Sequence, residues 1–254
     1  MTIITYLINL DDSKARLNYA SQQLHNAQVP FTRISAFDGR HLDLQAVKEY
    51  DEKKALAYMG RTLKGGELGC YFSHLKCVQA FLATDAKYAM VLEDDMQLVE
   101  AKETLPILQT IITWLEANQA HWYLLHIGAT KRKIYTTKAT ILDREIMQAH
   151  YFPMTTTGLV WSRQGAQAFL NEHQTIFAPV DNYFRWWLTK NNRGFSVWPP
   201  LVTTTGAQSD IDGQTLKRKN TGRSIRYGLA KQKRLWSDKF IAIAHKYKII
   251  PSKN

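Results

Sequence analysis

Apolar and polar positions change period several times along the chain, and each change marks an element. Thr2 to Leu10 is a β-rich run followed by Asp11, Asp12 and Ser13, which suit a loop and a helix cap. The pattern predicts a helix over Lys14 to Ala27, a break at Pro30 and a short strand over Phe31 to Ile34, after which Ala36-Phe37-Asp38-Gly39 turns the chain. Residues 43–64 read as a polar helical stretch outside the main sheet. Beyond Gly65 and Gly66, Leu68, Tyr71, Phe72, Leu75, Val78, Phe81 and Leu82 recur three or four apart, as in an amphipathic helix ending near Ala83. Tyr88 to Leu92 is then a buried strand that runs straight into Glu93-Asp94-Asp95.

The second half continues in the same alternation. A helix is predicted from Lys102 to Asn118, with Pro106 tolerated near its first turn, and a strand from Trp122 to Ile127. Lys131 to His150 reads as an irregular solvent-facing insertion. Leu159-Val160-Trp161 is a strand candidate after Gly158, and Arg163 to Leu170 a short helix. Asp181 stands at a helix N-cap position. Phe195 to Trp198 is a strand stopped by Pro199 and Pro200, followed by a polar loop from Thr203 to Asp210. Strand, helix, strand units of this kind give an α/β fold with a mostly parallel central sheet flanked by helices.

With 254 residues, 45% of them hydrophobic, the chain can bury a large core and is not disordered. Cys70 and Cys77 share a helix but are too far apart along it for a disulfide, so both are expected to be reduced core thiols of a cytosolic protein. Met1 to Leu10 carries no basic leader, and no signal peptide or spanning helix is expected.

Charge divides the chain in two. Residues 217–254 hold twelve basic side chains against Asp238 alone, so the whole formal charge of +11 falls there and residues 1–216 are neutral overall. The expected organisation is a catalytic domain over 1–216 and a basic amphipathic tail over 217–254. In that tail Ile225, Leu229, Trp236, Phe240, Ile243 and Tyr247 fall near one helical face among lysines, which suits an interfacial helix on an anionic membrane; a helix packed on the domain is the plainer alternative. A nucleic-acid-binding module is the competing use of the tail, although a neutral main domain argues against an extended nucleic-acid channel.

Three successive carboxylates repel one another and lose hydration unless a cation or donors compensate them. At the end of a strand they suit a hard divalent ion such as Mn²⁺ or Mg²⁺ beside phosphate oxygens; an exposed acidic turn is the bland reading. His74 lies in the amphipathic helix with no His-x-x-x-His partner, and its plain role is a bond to a neighbour.

Several stretches together resemble glycosyltransferase family 25, the bacterial lipooligosaccharide galactosyltransferases and their relatives. They are Ile8-Asn9-Leu10 with Arg16, Ala36-Phe37-Asp38-Gly39, Gly66-Glu67-Leu68-Gly69-Cys70 with Ser73-His74, and Leu92-Glu93-Asp94-Asp95. Gly158, Pro179 to Asp181 and Trp198-Pro199-Pro200 follow, so the resemblance covers roughly residues 3–211. Val160-Trp161-Ser162 departs from the family's more usual Gly-Tyr-containing strand.

The resemblance implies a GT-A-like fold and an inverting, metal-dependent transfer of galactose from UDP-galactose to a lipooligosaccharide, lipopolysaccharide core or other lipid-linked glycan, forming a β-linkage such as β-1,4. A glucosyl or other hexosyl transferase of the same family is the alternative. By the same analogy Asp95 and Glu93 hold the metal, Mn²⁺ or Mg²⁺, while Asp94 supports the site and Glu93 also contacts the nucleotide. Asn9 and Arg16 belong to the nucleotide site, His74 either belongs to it or supports it from behind, with metal ligation open, and Asp181 is the candidate base. Lys76, Arg132 and Arg163 are the cations expected near the pyrophosphate. The expected location is the cytoplasm, peripheral on the inner face of the membrane.

Overall fold

A computed structural model describes residues 2–119, 121–206 and 227–250. In chain order its first half comprises β1 (Ile3–Asn9), α1 (Lys14–Asn26), β2 (Thr32–Ser35), α2 (Glu52–Met59), α3 (Gly65–Leu82), β3 (Tyr88–Glu93), β4 (Met96–Leu98) and α4 (Thr104–Asn118). Then come β5 (Leu124–His126), β6 (Thr136–Ile141), β7 (Arg144–Gln148), β8 (Gly158–Ser162), α5 (Arg163–Glu172), α6 (Val180–Asn191), β9 (Gly194–Trp198), β10 (Val202–Thr204) and α7 (Tyr227–Lys246).

One 8-stranded sheet in the order β2-β1-β3-β8-β5-β9-β7-β6 forms the centre. β2, β1, β3, β5, β9 and β6 run one way, and only β8 and β7 oppose them. The expected α/β architecture with a mostly parallel sheet is therefore present. β4 and β10 make a separate antiparallel pair beyond the end of β3.

Side-chain alternation on the strands divides the core in two, because successive residues of a strand face opposite sides of its sheet. Tyr88, Met90 and Leu92 of β3 join Leu24 of α1 and Leu108, Ile111 and Leu115 of α4 on one face. Ala89 and Val91 join Tyr71 and Phe81 of α3, Phe169 of α5, and Phe184 and Trp187 of α6 on the other. On this second face Trp161, Phe169 and Phe184 meet with ring centroids 5.4 Å apart in tilted or edge-on pairs, each pair worth about 0.5–1.5 kcal/mol beyond its buried area.

Three expectations need correction. Lys131 to His150 is not wholly irregular: it contains the β6–β7 hairpin, which forms one edge of the sheet. The polar stretch 43–64 is helical only in a short 3₁₀ turn at Leu44–Ala46 and in α2. Gly65 and Gly66 open α3 rather than precede it. The reason for glycine there is steric. A Cβ on Gly65 would stand 2.0 Å from the Gly39 carbonyl oxygen, and one on Gly69 2.5 Å from that of Phe37, so the 36–39 turn can press onto the helix only if both lack side chains.

α7 packs against α2 and α6. Tyr58 of α2 donates to the Asp238 carboxylate at 3.3 Å, and the Arg234 guanidinium lies 5.3 Å from the Tyr58 ring centre. Ile225, the 216/217 boundary and the end of the polar loop, Ser209 and Asp210, lie outside the described residues. No described helix is long and apolar enough to cross a membrane. Both cysteines are free thiols.

Candidate active site

The C-terminal end of β3 opens into a cleft of about 700 Å³. Its lining draws on the β1 end (Asn9), α1 (Arg16), the 36–39 turn, the N-terminus of α3, the acidic triplet, Thr155 to Thr157 and Asp181. Ligands of open α/β sheets collect at such strand ends.

Strand alternation also distributes the three acids. Glu93 continues the parity of Ala89 and Val91 and so falls on the α3 side, whereas Asp94 falls toward α1. Glu93 Oε1 lies 3.0 Å from His74 Nε2, accepts from Thr156 Oγ1 at 2.6 Å, and is 3.7 Å from Cys70 Sγ. Burial raises the Glu93 pKa, but the His74 contact, together with Thr156 and Cys70, outweighs it and the net shift is downward. Asp94 accepts from Asn9 Nδ2 at 2.6 Å and is paired with Arg16. Burial still pushes its pKa up, aided by the charges of Asp95 and Glu93.

Asp95 differs from both. It starts the turn into β4; Thr204 of β10 donates to its Oδ2 at 3.1 Å, while Oδ1 is buried with no hydrogen-bond partner. Burial and the neighbouring Glu93 charge raise its pKa. An unpaired buried carboxylate oxygen costs about 1–3 kcal/mol or more, and a hard cation is one partner that would relieve it. An oxygen donor of this kind fits Mn²⁺ or Mg²⁺.

Among the described residues, the His/Cys/acid cluster with ligand atoms within 4.8 Å of one another is Cys70, His74 and Glu93. Burial and the Glu93 charge hold the Cys70 thiol's pKa well above its ordinary value, which keeps its proton on sulfur. Cys70 and His74 both contact the Glu93 carboxylate, and together the three form a set of donors that could hold a metal ion. His74 itself is buried and reaches the cleft through Glu93.

Asp181 shares the cleft with the triplet, yet it is not the N-cap. Pro179 takes that position, and Asp181 lies in the first turn of α6, where its Oδ1 accepts from the Asn182 amide N–H at 2.6 Å and from Asn182 Nδ2 at 2.9 Å. Burial raises its pKa against those two bonds.

The expected pyrophosphate cations are engaged elsewhere. Lys76 donates to the Ser35 carbonyl at 3.1 Å. Arg132 pairs with Glu145 at 2.9 Å. Arg163 donates to the carbonyls of Leu82, Thr84 and Ala86, closing the C-terminal end of α3. None of the three lines the cleft. The cations that do include Arg16, Arg40, Arg61 and Lys64. Arg61 makes a two-pronged bond with Glu67 at 2.8 and 2.6 Å, and the Glu67 carboxylate also accepts from the Lys64 amide at 2.9 Å.

Thr155 to Thr157, Thr204 and Tyr227 also line the cleft, although the sequence places Thr204 in a polar loop and Tyr227 in the tail and gives Thr155 to Thr157 no role. The clue available was the Thr155-Thr156-Thr157-Gly158 run entering a strand. His126 holds this run: its Nε2 lies 3.1 Å from the carbonyls of Met154 and Thr155, and its Nδ1 accepts from the Gly128 amide at 3.1 Å.

Residues 2–184 match glycosyltransferase family 25 (LPS biosynthesis protein). Procollagen galactosyltransferase 1-B of Xenopus laevis is 26% identical over 224 residues, 81% of this chain and 36% of that protein. Procollagen galactosyltransferase 2 of Homo sapiens is 22% identical over 270 residues, 92% of this chain and 42% of that protein. The chain therefore spans less than half the length of these curated relatives. A crystal structure of a glycosyltransferase involved in the glycosylation of the major capsid of PBCV-1 aligns with a TM-score of 0.41 and 8% identity, covering 96% of this chain and 100% of that one. The matched span takes in the cleft from Asn9 through the acidic turn to Asp181, and the chain belongs to glycosyltransferase family 25.

Proposed function

We propose that the chain transfers galactose from UDP-galactose, with inversion, to a lipooligosaccharide, lipopolysaccharide core or similar lipid-linked glycan, using Mn²⁺ or Mg²⁺ held at Asp95. The relatives are named as galactosyltransferases, which supports the sugar, and the family's description supports the class of acceptor. The observation that carries the chemistry is the buried, unpartnered Oδ1 of Asp95 at the mouth of β3.

In this reading the three acids divide the labour. Asn9 and Arg16 occupy Asp94, and three groups surround Glu93 Oε1, so Asp95 is the carboxylate whose Oδ1 remains for a cation, with Glu93 beside it. When bound, a divalent ion supplies neutralisation of the charge that develops on the departing nucleoside diphosphate. Arg16, held by Asp94, Arg61, held by Glu67, and Lys64 are cations of the cleft wall within which the same phosphates would lie.

An acceptor hydroxyl is a poor nucleophile until its proton is taken. Asp181 takes that proton: burial raises its basicity, and Asn182 fixes the carboxylate's orientation. Inversion requires one displacement with the acceptor opposite the leaving group.

Calorimetric titration with UDP-galactose in the presence and absence of Mn²⁺ tests this reading, with UDP-glucose as the competing donor. Saturable, Mn²⁺-dependent binding is expected, and Asp95→Asn should abolish both it and the uptake of Mn²⁺ followed by electron paramagnetic resonance. Metal uptake unchanged in Asp95→Asn would refute the assignment, and equal or tighter binding of UDP-glucose would favour the hexosyl alternative.

A further inference from the structure

The two faces of α7 are chemically unlike. Asp238, Ala242 and His245 are buried on the inner face, where Asp238 bonds Tyr58 and His245 Nε2 lies 3.3 Å from the Lys190 carbonyl of α6. At its start the helix rests on the backbone of Gly60, and Tyr227 reaches the cleft wall. On the opposite face Leu229 is 73% exposed, Trp236 55%, Phe240 62% and Tyr247 68%, with Ile243 beside them. A 20-residue helix is about 30 Å long, and this stripe runs most of its length.

Large apolar side chains left in water along such a stripe call for a covering surface. The flanking charge says which. At 100° per residue Lys233, Lys239 and Lys246 border the stripe, and the Lys239 ammonium lies 5.1 Å from the Trp236 ring centre. The one acidic residue of the helix, Asp238, faces inward. A second copy would set these lysines against its own, whereas an anionic bilayer takes the apolar stripe into its interface and the lysines among its headgroups.

We propose that α7 is an interfacial helix that lies on an anionic bilayer with Leu229, Trp236, Phe240, Ile243 and Tyr247 inward, and that the same helix, through Tyr227, fixes the donor cleft beside the bilayer. The cleft then meets glycans presented from lipid anchors. The part concerning acceptors rests on the function proposed above; the part concerning bilayer binding does not.

The test is sedimentation of the full chain with vesicles of phosphatidylcholine alone or mixed equally with phosphatidylglycerol. Binding should require phosphatidylglycerol and weaken with salt, and Trp236→Ala with Phe240→Ala should weaken it at least about tenfold. The triple reversal Lys233→Glu, Lys239→Glu, Lys246→Glu should do the same, and all these variants should keep the wild-type circular dichroism melt. Transfer to a water-soluble acceptor should be unchanged in the aromatic variant, while transfer to the same glycan on a lipid in the vesicles falls. Failure to bind anionic vesicles, binding unaltered by the aromatic variant, or a dimer in solution dissolved by that variant would overturn the proposal. Vesicle binding as expected with no transfer to either acceptor would leave bilayer docking standing and sink the function proposed above instead.

Discussion

Acid should loosen the cleft through His126. This residue is buried beneath the threonine run, with Nε2 against the carbonyls of Met154 and Thr155 and Nδ1 accepting from Gly128, an arrangement that suits the neutral ring with its proton on Nε2. Burial pushes its pKa down to about 4, and the raising effects of the two carbonyls and Glu93 are smaller. In the unfolded chain the ring titrates near its ordinary value, about 6.5. Between those values the unfolded state binds a proton that the folded state refuses. The stability tied to the neutral ring is therefore complete above about pH 6.5 and is lost as pH falls toward about 4. The difference in pKa corresponds to about 3 kcal/mol. His126→Gln keeps an N–H able to reach the same carbonyls but does not titrate. Urea unfolding of both proteins across this window should show the wild type losing about 3 kcal/mol more than the variant. The pKa values of His150, His173 and His245 are lowered too, and their contributions cancel in the comparison. Parallel stability curves for the two proteins would refute the reasoning.

Other substitutions separate chemistry from architecture. Asp181→Asn should leave Mn²⁺-dependent donor binding nearly intact and remove transfer; normal turnover would exclude Asp181 as the base. Arg16→Ala leaves Asp94 with Asn9 as its remaining named partner and should cost roughly 1–3 kcal/mol in urea unfolding, with part recovered by adding Asp94→Asn. Gly69→Ala drives a Cβ to 2.5 Å from the Phe37 carbonyl and should destabilise by about 1–3 kcal/mol or more. Gly228→Ala, whose Cβ would meet nothing within 4 Å, should instead raise the melting temperature, by an amount worth up to about 1 kcal/mol.

What the residue pattern revealed and what it hid have physical causes. β1, α1, α3, β3 and β8 were legible because each is buried against a core, and burial imposes a period on the side chains. The β6–β7 hairpin was not, because its outer strand buries no residue and so needs no apolar alternation. Its turn also uses Leu142 and Asp143 at positive φ, 46° and 61°, where glycine or asparagine usually announces the bend. The acidic triplet stood out, since nothing in packing asks for it. The cations did not sort themselves: Lys76, Arg132 and Arg163 carry the right charge, but backbone carbonyls and Glu145 hold them away from the cleft. Tyr227 was concealed in a stretch whose charge drew attention to its outer face.

The alternation along β3 has a consequence for how this chain can vary. Removing or adding one residue between Tyr88 and Leu92 would leave an apolar run of nearly the same character. It would nonetheless turn Glu93 toward Arg16 and Asp94 toward His74, exchanging the neighbours that hold each carboxylate. Composition in that strand is free to drift among apolar side chains. Its length is not, because counting in twos along featureless residues is what delivers each acid to its proper address.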